Sequence, residues 1–447
     1  MATTDLITKL RTRIVAGAIL VAALFTLVHA VDYRQNVPSN DTYQYAKQTL
    51  RILGDDQAQA VHGAVVMFCQ DSGNAASTAS TLNYAAGSSG STTSYSSAYE
   101  ACLQTYRNGL TPSSPRYLAI FTSRPGYPLL SAPFAGLFGL RFGLWFAAML
   151  CTILGSFLVI LLLRAVGGSV PVALGGQILF LAAPTGYWGS RMLTDGPSLT
   201  TTLLALLGAL WLIRGRTRLG IWVLVAGLVT GFVVRYSSEQ IVALALTVAA
   251  LVCLRWIPSS RGSGIEKSRI EGRKHGAIVS TFPRRGLKLL AIVSGSGLIA
   301  SGLVSTLLGW PGLSESLQDT FTKHFIRQDV SDPVGRLVRL DLHFWAYYPV
   351  SEPTALLLAV GLVAIAVALV RREAVFGVLA IAVSATGLGA VVAHPIASQA
   401  NRLMAPVWLL VALGLPLLLA ATKGRELPAE GGSGQPQQES VFASEAA

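Results

Sequence analysis

Apolar runs long enough to cross a lipid bilayer recur along most of this chain, and they restrict its fold more than any other feature. A helix needs about 18 or more largely apolar residues to span roughly 30 Å of hydrocarbon. Ten candidate spans follow: Ile14–Val31, Phe142–Leu163, Ser169–Trp188, Gly196–Ile213, Leu219–Val234, Ile241–Trp256, Leu289–Trp310, Thr354–Val370, Ala374–His394 and Met404–Thr422. The fifth and sixth are the shortest and adjoin Arg235 and Glu239. Lipid offers no partner to backbone polar groups, so each run is expected as a helix. Composition agrees. Of 447 residues, 13% are charged and 52% hydrophobic, where average soluble domains carry roughly 25% charge. The expected fold class is an all-α polytopic membrane protein with about ten transmembrane helices and a large first extracytoplasmic loop.

Basic residues set the orientation. Lys and Arg concentrate in cytoplasmic loops. With the N-terminus inside, the cytoplasmic segments hold Lys9, Arg11 and Arg13, then Arg164, the Arg214–Arg218 cluster, the long stretch Arg255–Lys288, Arg371 with Arg372, and Lys423 with Arg425. The net charge of +12 then reads as positive loops against anionic lipid, with no nucleic acid implied. This plan gives a cytoplasmic N-terminus (1–13), the first transmembrane helix (14–31) and an extracytoplasmic loop (32–130). Transmembrane helices two to six occupy 131–256, followed by a basic cytoplasmic loop (257–288) and the seventh helix (289–310). A second extracytoplasmic loop (311–353) precedes helices eight to ten (354–422). A disordered cytoplasmic tail (423–447) closes the chain. The expected location is the cytoplasmic membrane, crossed many times, with both termini inside.

The first external loop opens with a helical stretch, Thr42–Gly54, with Tyr45, Leu50 and Leu53 on its apolar side and a glycine at its end. A second short helix is expected over Gln57–Cys69. Ala75–Ser97 is rich in Ser, Thr, Gly and Ala and reads as a flexible insert. Cys69 and Cys102 bracket it on the side where disulfides persist, which predicts a bridge, with two free thiols as the alternative. Cys151 and Cys253 fall inside spans and read as inert. Ser131–Leu140 is too short to span and reads as interfacial or re-entrant. The later loop Thr322–Pro349 mixes His324, Arg327, Asp329, Arg339, Asp341 and His343 with Phe344, Trp345, Tyr347 and Tyr348. It suits sugar contacts, or equally an interfacial amphipathic helix with an aromatic belt.

Ionisable groups near a membrane are costly and mark functional sites by default. Here they cluster at the external turns: Asp32, Arg34 and Asp41; Arg191 and Asp195; Arg235 and Glu239; His394 and Arg402. One such residue is explained by capping or snorkelling; the set at one depth points to a site. The chain carries no G-x-x-x-x-G-K-[ST], no G-x-S-x-G elbow and no His/Cys cluster at zinc spacing. No clear repeat relates its halves, as a secondary transporter would lead one to expect.

Five segments in order then resemble the GT-C superfamily of integral-membrane glycosyltransferases, which includes protein mannosyltransferases and aminoarabinose transferases. They are Asn40-Asp41-Thr42-Tyr43 with Ala46, Leu50, Leu53 and Gly54; Arg124-Pro125-Gly126-Tyr127-Pro128 with Leu137-Phe138-Gly139; Leu193-Thr194-Asp195-Gly196-Pro197; Gly227 and Gly231 ahead of Arg235; and Asn401-Arg402-Leu403 with Ala405-Pro406. Two departures are visible. Thr42 stands where many relatives carry a second acid, and Leu403 where an aromatic is usual. Asp32 rivals Asp41 for the role of the loop's acid.

The resemblance implies a sugar carried on a polyprenyl phosphate and an acceptor hydroxyl on a protein, lipid or glycan. Asp41 is then the expected base, and Arg402, Arg235 and Arg191 the expected phosphate ligands. Asp195 would orient the acceptor, position an arginine or help hold a divalent metal, with an N-cap of the fourth span as the plain alternative. Asp32, Tyr43 and His394 are candidate acceptor or sugar contacts. One base without a carboxylate nucleophile favours inversion. A transporter or flippase for a lipid-linked or anionic substrate is the competing reading.

Overall fold

The computed structural model describes residues 2–33, 39–86, 93–110, 114–256 and 284–423. The basic segment expected on the cytoplasmic side, from 257 to 283, Arg34 and the C-terminal tail from 424 lie outside them. Every regular element among the described residues is helical. Eight of these helices are long and apolar enough to cross a membrane.

The bundle contains α1 (Ala2–Asp32), α7 (Leu140–Ala165), α8 (Val170–Ala182), α9 (Pro184–Gly189), α10 (Asp195–Ile213), α11 (Thr217–Trp256), α12 (Arg284–Leu307), α15 (Pro353–Arg372), α16 (Ala374–Ala393) and α18 (Leu409–Lys423). Over one end of it gather α2 (Asn40–Ile52), α3 (Gln57–Ala85), α4 (Tyr95–Thr105), α5 (Pro115–Thr122), α6 (Gly126–Phe138), α13 (Leu313–Phe321), α14 (Pro333–Ser351) and α17 (Ala397–Leu403). These form a cap. The bundle core is Leu, Val and Ala from α7, α10, α11 and α16. The cap has its own core, in which Tyr45, Tyr117, Phe121 and Tyr127 pack against Leu144 and Met149 of α7.

The forty-residue α11 is two helices. Arg235 interrupts it with φ −162° and ψ 84°. A Cβ on Gly231 would stand 3.3 Å from the Glu239 side chain; eight residues along an unbroken helix cover about 12 Å. The halves therefore fold back on each other, with Arg235 at the bend. Small residues allow close packing here, as is usual between apolar helices: a Cβ on Gly208 would meet Leu224 N at 2.2 Å, and one on Gly227 would meet Ala205 N at 2.5 Å.

Several expectations need correction. The third run, Ser169–Trp188, is not one helix. Ala183 is extended (ψ 175°) before Pro184, and the chain restarts as α9, because a residue preceding proline is pushed out of the helical region. Within the insert Ala75–Ser97 the described residues are largely helical, since α3 runs to Ala85 and α4 starts at Tyr95. Its alanines favour helix, and Thr81 satisfies its hydroxyl within the helix by donating to the Ser77 carbonyl at 2.9 Å. The Gln57–Cys69 helix is likewise longer than expected. Leu53 is exposed at 42% rather than on the apolar side of α2, while Gly54 closes that helix with φ +105°. Gly139, at φ +90°, lets α6 turn directly into α7.

A disulfide joins Cys69 in α3 to Cys102 in α4. Cys151 and Cys253 are free. Leu356, Leu357, Val360 and Val363 of α15 stand more than half exposed, an apolar surface suited to lipid.

Candidate functional site: an arginine-bridged carboxylate pair

Ser39 caps α2 by accepting from the Thr42 N–H at 3.1 Å, which fixes Asp41 in the first turn. Thr42 Oγ1 donates to the Met192 carbonyl at 3.2 Å, and Tyr45 Oη lies 3.4 Å from Thr194 Oγ1. These contacts tie α2 to the turn before α10. Thr194, not Asp195, holds the cap position of α10. The capping role expected as the alternative for Asp195 is therefore not what the structure holds. Its carboxylate points instead to Arg402: Nε and Nη2 of Arg402 both lie 2.9 Å from Asp195 Oδ2. Arg402 Nη1 donates to Asp41 Oδ2 at 2.9 Å. One guanidinium thus bridges two carboxylates from helices far apart in sequence.

Arg235, projecting from the bend of α11, has Nη1 4.0 Å from Asp195 Oδ1. Arg124, between α5 and α6, stands near Tyr45 and acts electrostatically on Asp41. Burial opposes ionisation of Asp41. The charges of Arg402, Arg124 and Arg235 outweigh it and hold the carboxyl below the ordinary aspartate range. The Nε atoms of Arg124 and Arg235 are buried and have no hydrogen-bond partner. Three guanidinium groups therefore face two carboxylates, with donors left over for an anion.

A cavity of about 60 Å³ adjoins this cluster, lined by Asp195, Arg235, Arg402 and Thr386 on its polar side and by Leu199, Ile241 and Pro406 on its apolar side. On the other flank Asn40 Nδ2 donates to Tyr117 Oη. The Tyr117 ring lies 4.7 Å from that of His324, and Asp319 pairs with His324 at 3.0 Å. Lys323, His324 and Phe325 have φ of 53°, 61° and 59°, three successive left-handed residues without a glycine, which is a strained turn.

Of the residues singled out from sequence, Asp41, Asp195, Arg235 and Arg402 meet. Three do not join them. Arg191 lies over the Tyr187 ring at 4.4 Å. Tyr43 is buried toward Gly109 and Val61, because it projects from a different face of α2. His394 Nδ1 lies 3.0 Å from Thr320 Oγ1. Asp32 is the last residue of α1, and its side chain is outside the described residues. Arg124 and Tyr45 were not expected in the site. The pattern Arg124-Pro125-Gly126 carried the only signal for the first. A cation here would find Asp41 and Asp195 as donors, both engaged with Arg402. No group of three His, Cys, Asp or Glu side chains converges among the described residues.

Neither protein-family models, nor curated proteins, nor solved structures give a match to this chain.

Proposed function

We propose that the chain is a membrane glycosyltransferase of GT-C type, which moves a sugar from a polyprenyl phosphate to an acceptor hydroxyl on the extracytoplasmic side, with inversion. The observation that carries this reading is the part-buried bridge of Arg402 between Asp41 and Asp195, with spare donors on Arg124 and Arg235. In this reading the chain crosses the membrane ten times. The bend at Arg235 lies outside, and α8 with α9 makes the third crossing.

The chemistry suits the groups present. The acceptor oxygen gives its proton to Asp41 and bonds to the anomeric carbon. The bond from that carbon to the phosphate oxygen breaks, and its electron pair leaves with the phosphate. That leaving group is an anion that needs positive charge rather than a proton, and planar guanidinium supplies it. In the resting protein Arg402 is held by the carboxylates. An incoming phosphate would draw on Arg235, Arg124 and part of Arg402, releasing Asp41 toward the acceptor. The neighbouring cavity, polar on one side and apolar on the other, suits a phosphate joined to a prenyl chain.

The test is turnover of radiolabelled polyprenyl-phosphate sugars by the purified protein in nanodiscs, beside Asp41→Asn. Transfer or donor hydrolysis that falls by about 10²–10⁴-fold in the variant is expected. No turnover of any donor, with a lipid or solute crossing the bilayer instead, would replace this reading by a transporter.

A further inference from the structure

Beside the charge cluster lies a larger cavity, of about 380 Å³, between α2 and α5. Ligand pockets commonly span roughly 300–1,000 Å³. One wall is α2 itself. Gln44, Gln48 and Arg51 line the cavity and follow Asp41 at i+3, i+7 and i+10, spacings that share one helix face. The face that delivers Asp41 to the cluster thus continues outward as the cavity wall for about 15 Å. The opposite wall is Leu118, Thr122 and Pro125, and Pro125 follows Arg124 directly.

Its lining has a definite chemistry. Gln44, Gln48 and Gln57 supply carboxamides, each both donor and acceptor. Lys47 and Arg51 supply charged donors, and none of the nine lining residues is a carboxylate. Leu118, Pro125, Ile52 and the stems of Lys47 and Arg51 supply apolar strips between these groups. Alternating hydroxyls and C–H faces, as on a sugar chain, match such a wall. A prenyl chain would need an unbroken apolar surface. An extended peptide would look for unpaired backbone, which the helical walls do not offer.

We propose that this cavity is the acceptor subsite and that it holds an oligosaccharide, lying along α2 with its terminal hydroxyl at Asp41. The proposal rests on the glycosyl-transfer reading and narrows its acceptor from protein, lipid or glycan to glycan.

The experiment uses the full chain in nanodiscs and two separate binding probes. The first is a set of fluorescent linear mannan, glucan and arabinan oligomers of one to six units, followed by anisotropy. The second is a polyprenyl phosphate without sugar. Affinity for at least one oligomer series is expected to climb over the first few units and then level off. Gln48→Trp, which fills the cavity from α2, and Thr122→Trp, which fills it from the exposed opposite wall, are each expected to weaken that binding at least tenfold and leave polyprenyl-phosphate binding unchanged. Absence of oligomer binding, no dependence on length, or indifference to both substitutions overturns the proposal. Oligomer binding that both variants abolish, with no polyprenyl-phosphate binding, removes the donor reading and leaves the glycan site standing.

Discussion

Arg402 reaches Asp41 across 361 residues of sequence, with Nη1 2.9 Å from Oδ2. The pair belongs to a chain of contacts that runs from α2 through α17 and α10 to the bend of α11, elements from both ends of the sequence. A largely enclosed charge pair of this kind adds little stability over an apolar replacement, yet removing one partner is costly because the other is left uncompensated. Its persistence in a chain with so few charges is best explained by what the released charges can hold.

Arg402→Lys keeps the positive charge and loses the planar fork that serves two carboxylates at once. Transfer from a polyprenyl-phosphate donor should fall about 10²-fold or more, with a smaller change in melting temperature than Arg402→Ala. Arg402→Ala should destabilise by about 3–5 kcal/mol. Parallel turnover assays and thermal melts in nanodiscs check both. An Arg402→Lys protein with full turnover would remove this guanidinium from the mechanism.

The Cys69–Cys102 bridge closes a separation of 33 residues, which on chain-entropy grounds constrains the unfolded cap by about 3–4 kcal/mol. Cys69→Ser with Cys102→Ser should therefore lower the cap's resistance to proteolysis, with cleavage concentrated between α3 and α4. The buried bundle should stay intact. Limited proteolysis with mass spectrometry reads the sites. Cleavage spread evenly over the cap would mean that the bridge does not hold α3 and α4 together.

Much of the architecture was legible because hydrophobic length is a local property. The runs behind α1, α7, α10, α12, α15 and α16 needed no tertiary information. The third run and the Ser/Thr/Ala insert misled, since Pro184 breaks the helix through local geometry and the extension of α3 to Ala85 draws on packing against α4 through Gly73 and Tyr95. In the site, charge in a membrane chain marked Asp41, Asp195, Arg235 and Arg402. Arg124 was harder to read, because its one signal was the Arg124-Pro125-Gly126 pattern and nothing local aims a guanidinium in a cap loop at Asp41. Tyr43 and Arg191 show the limit from the other side, since sequence proximity to a site residue does not set the direction of a side chain.

Arg141 of α7 lies 2.7 Å from Asp71 of α3, whose side chain is 1% exposed, and it also reaches Gln70 Oε1 at 3.2 Å. This buried pair pins the cap to the bundle. Asp71→Ala should cost about 3–5 kcal/mol by leaving Arg141 without a counter-charge, and the double variant Asp71→Leu with Arg141→Met should recover most of that loss. A double-mutant cycle on thermal melts gives the coupling. Additive losses would mean that the two charges act independently.

His324 gives the cap a pH dependence of known sign. Its hydrogen bond to Asp319 raises its pKa against the opposing effect of burial, and the Asp319 and Asp41 charges add to the rise while Lys323 opposes it. A folded pKa above the unfolded value means that the protonated ring stabilises the fold. That stabilisation is complete below the unfolded value of about 6.5 and is lost as pH climbs through the higher folded value. His394 faces Thr320 nearby, and Asp319 and His324 both act on its charge, so the comparison is repeated in a His394→Gln background. The melting temperature of the wild type should exceed that of His324→Gln most clearly at acidic pH, and the gap should close toward pH 8.5. Asp319→Asn should lose the same gap, because the neutral amide no longer favours the charged ring. A difference between wild type and His324→Gln that is constant with pH would show that the His324 contact with Tyr117 acts through packing alone.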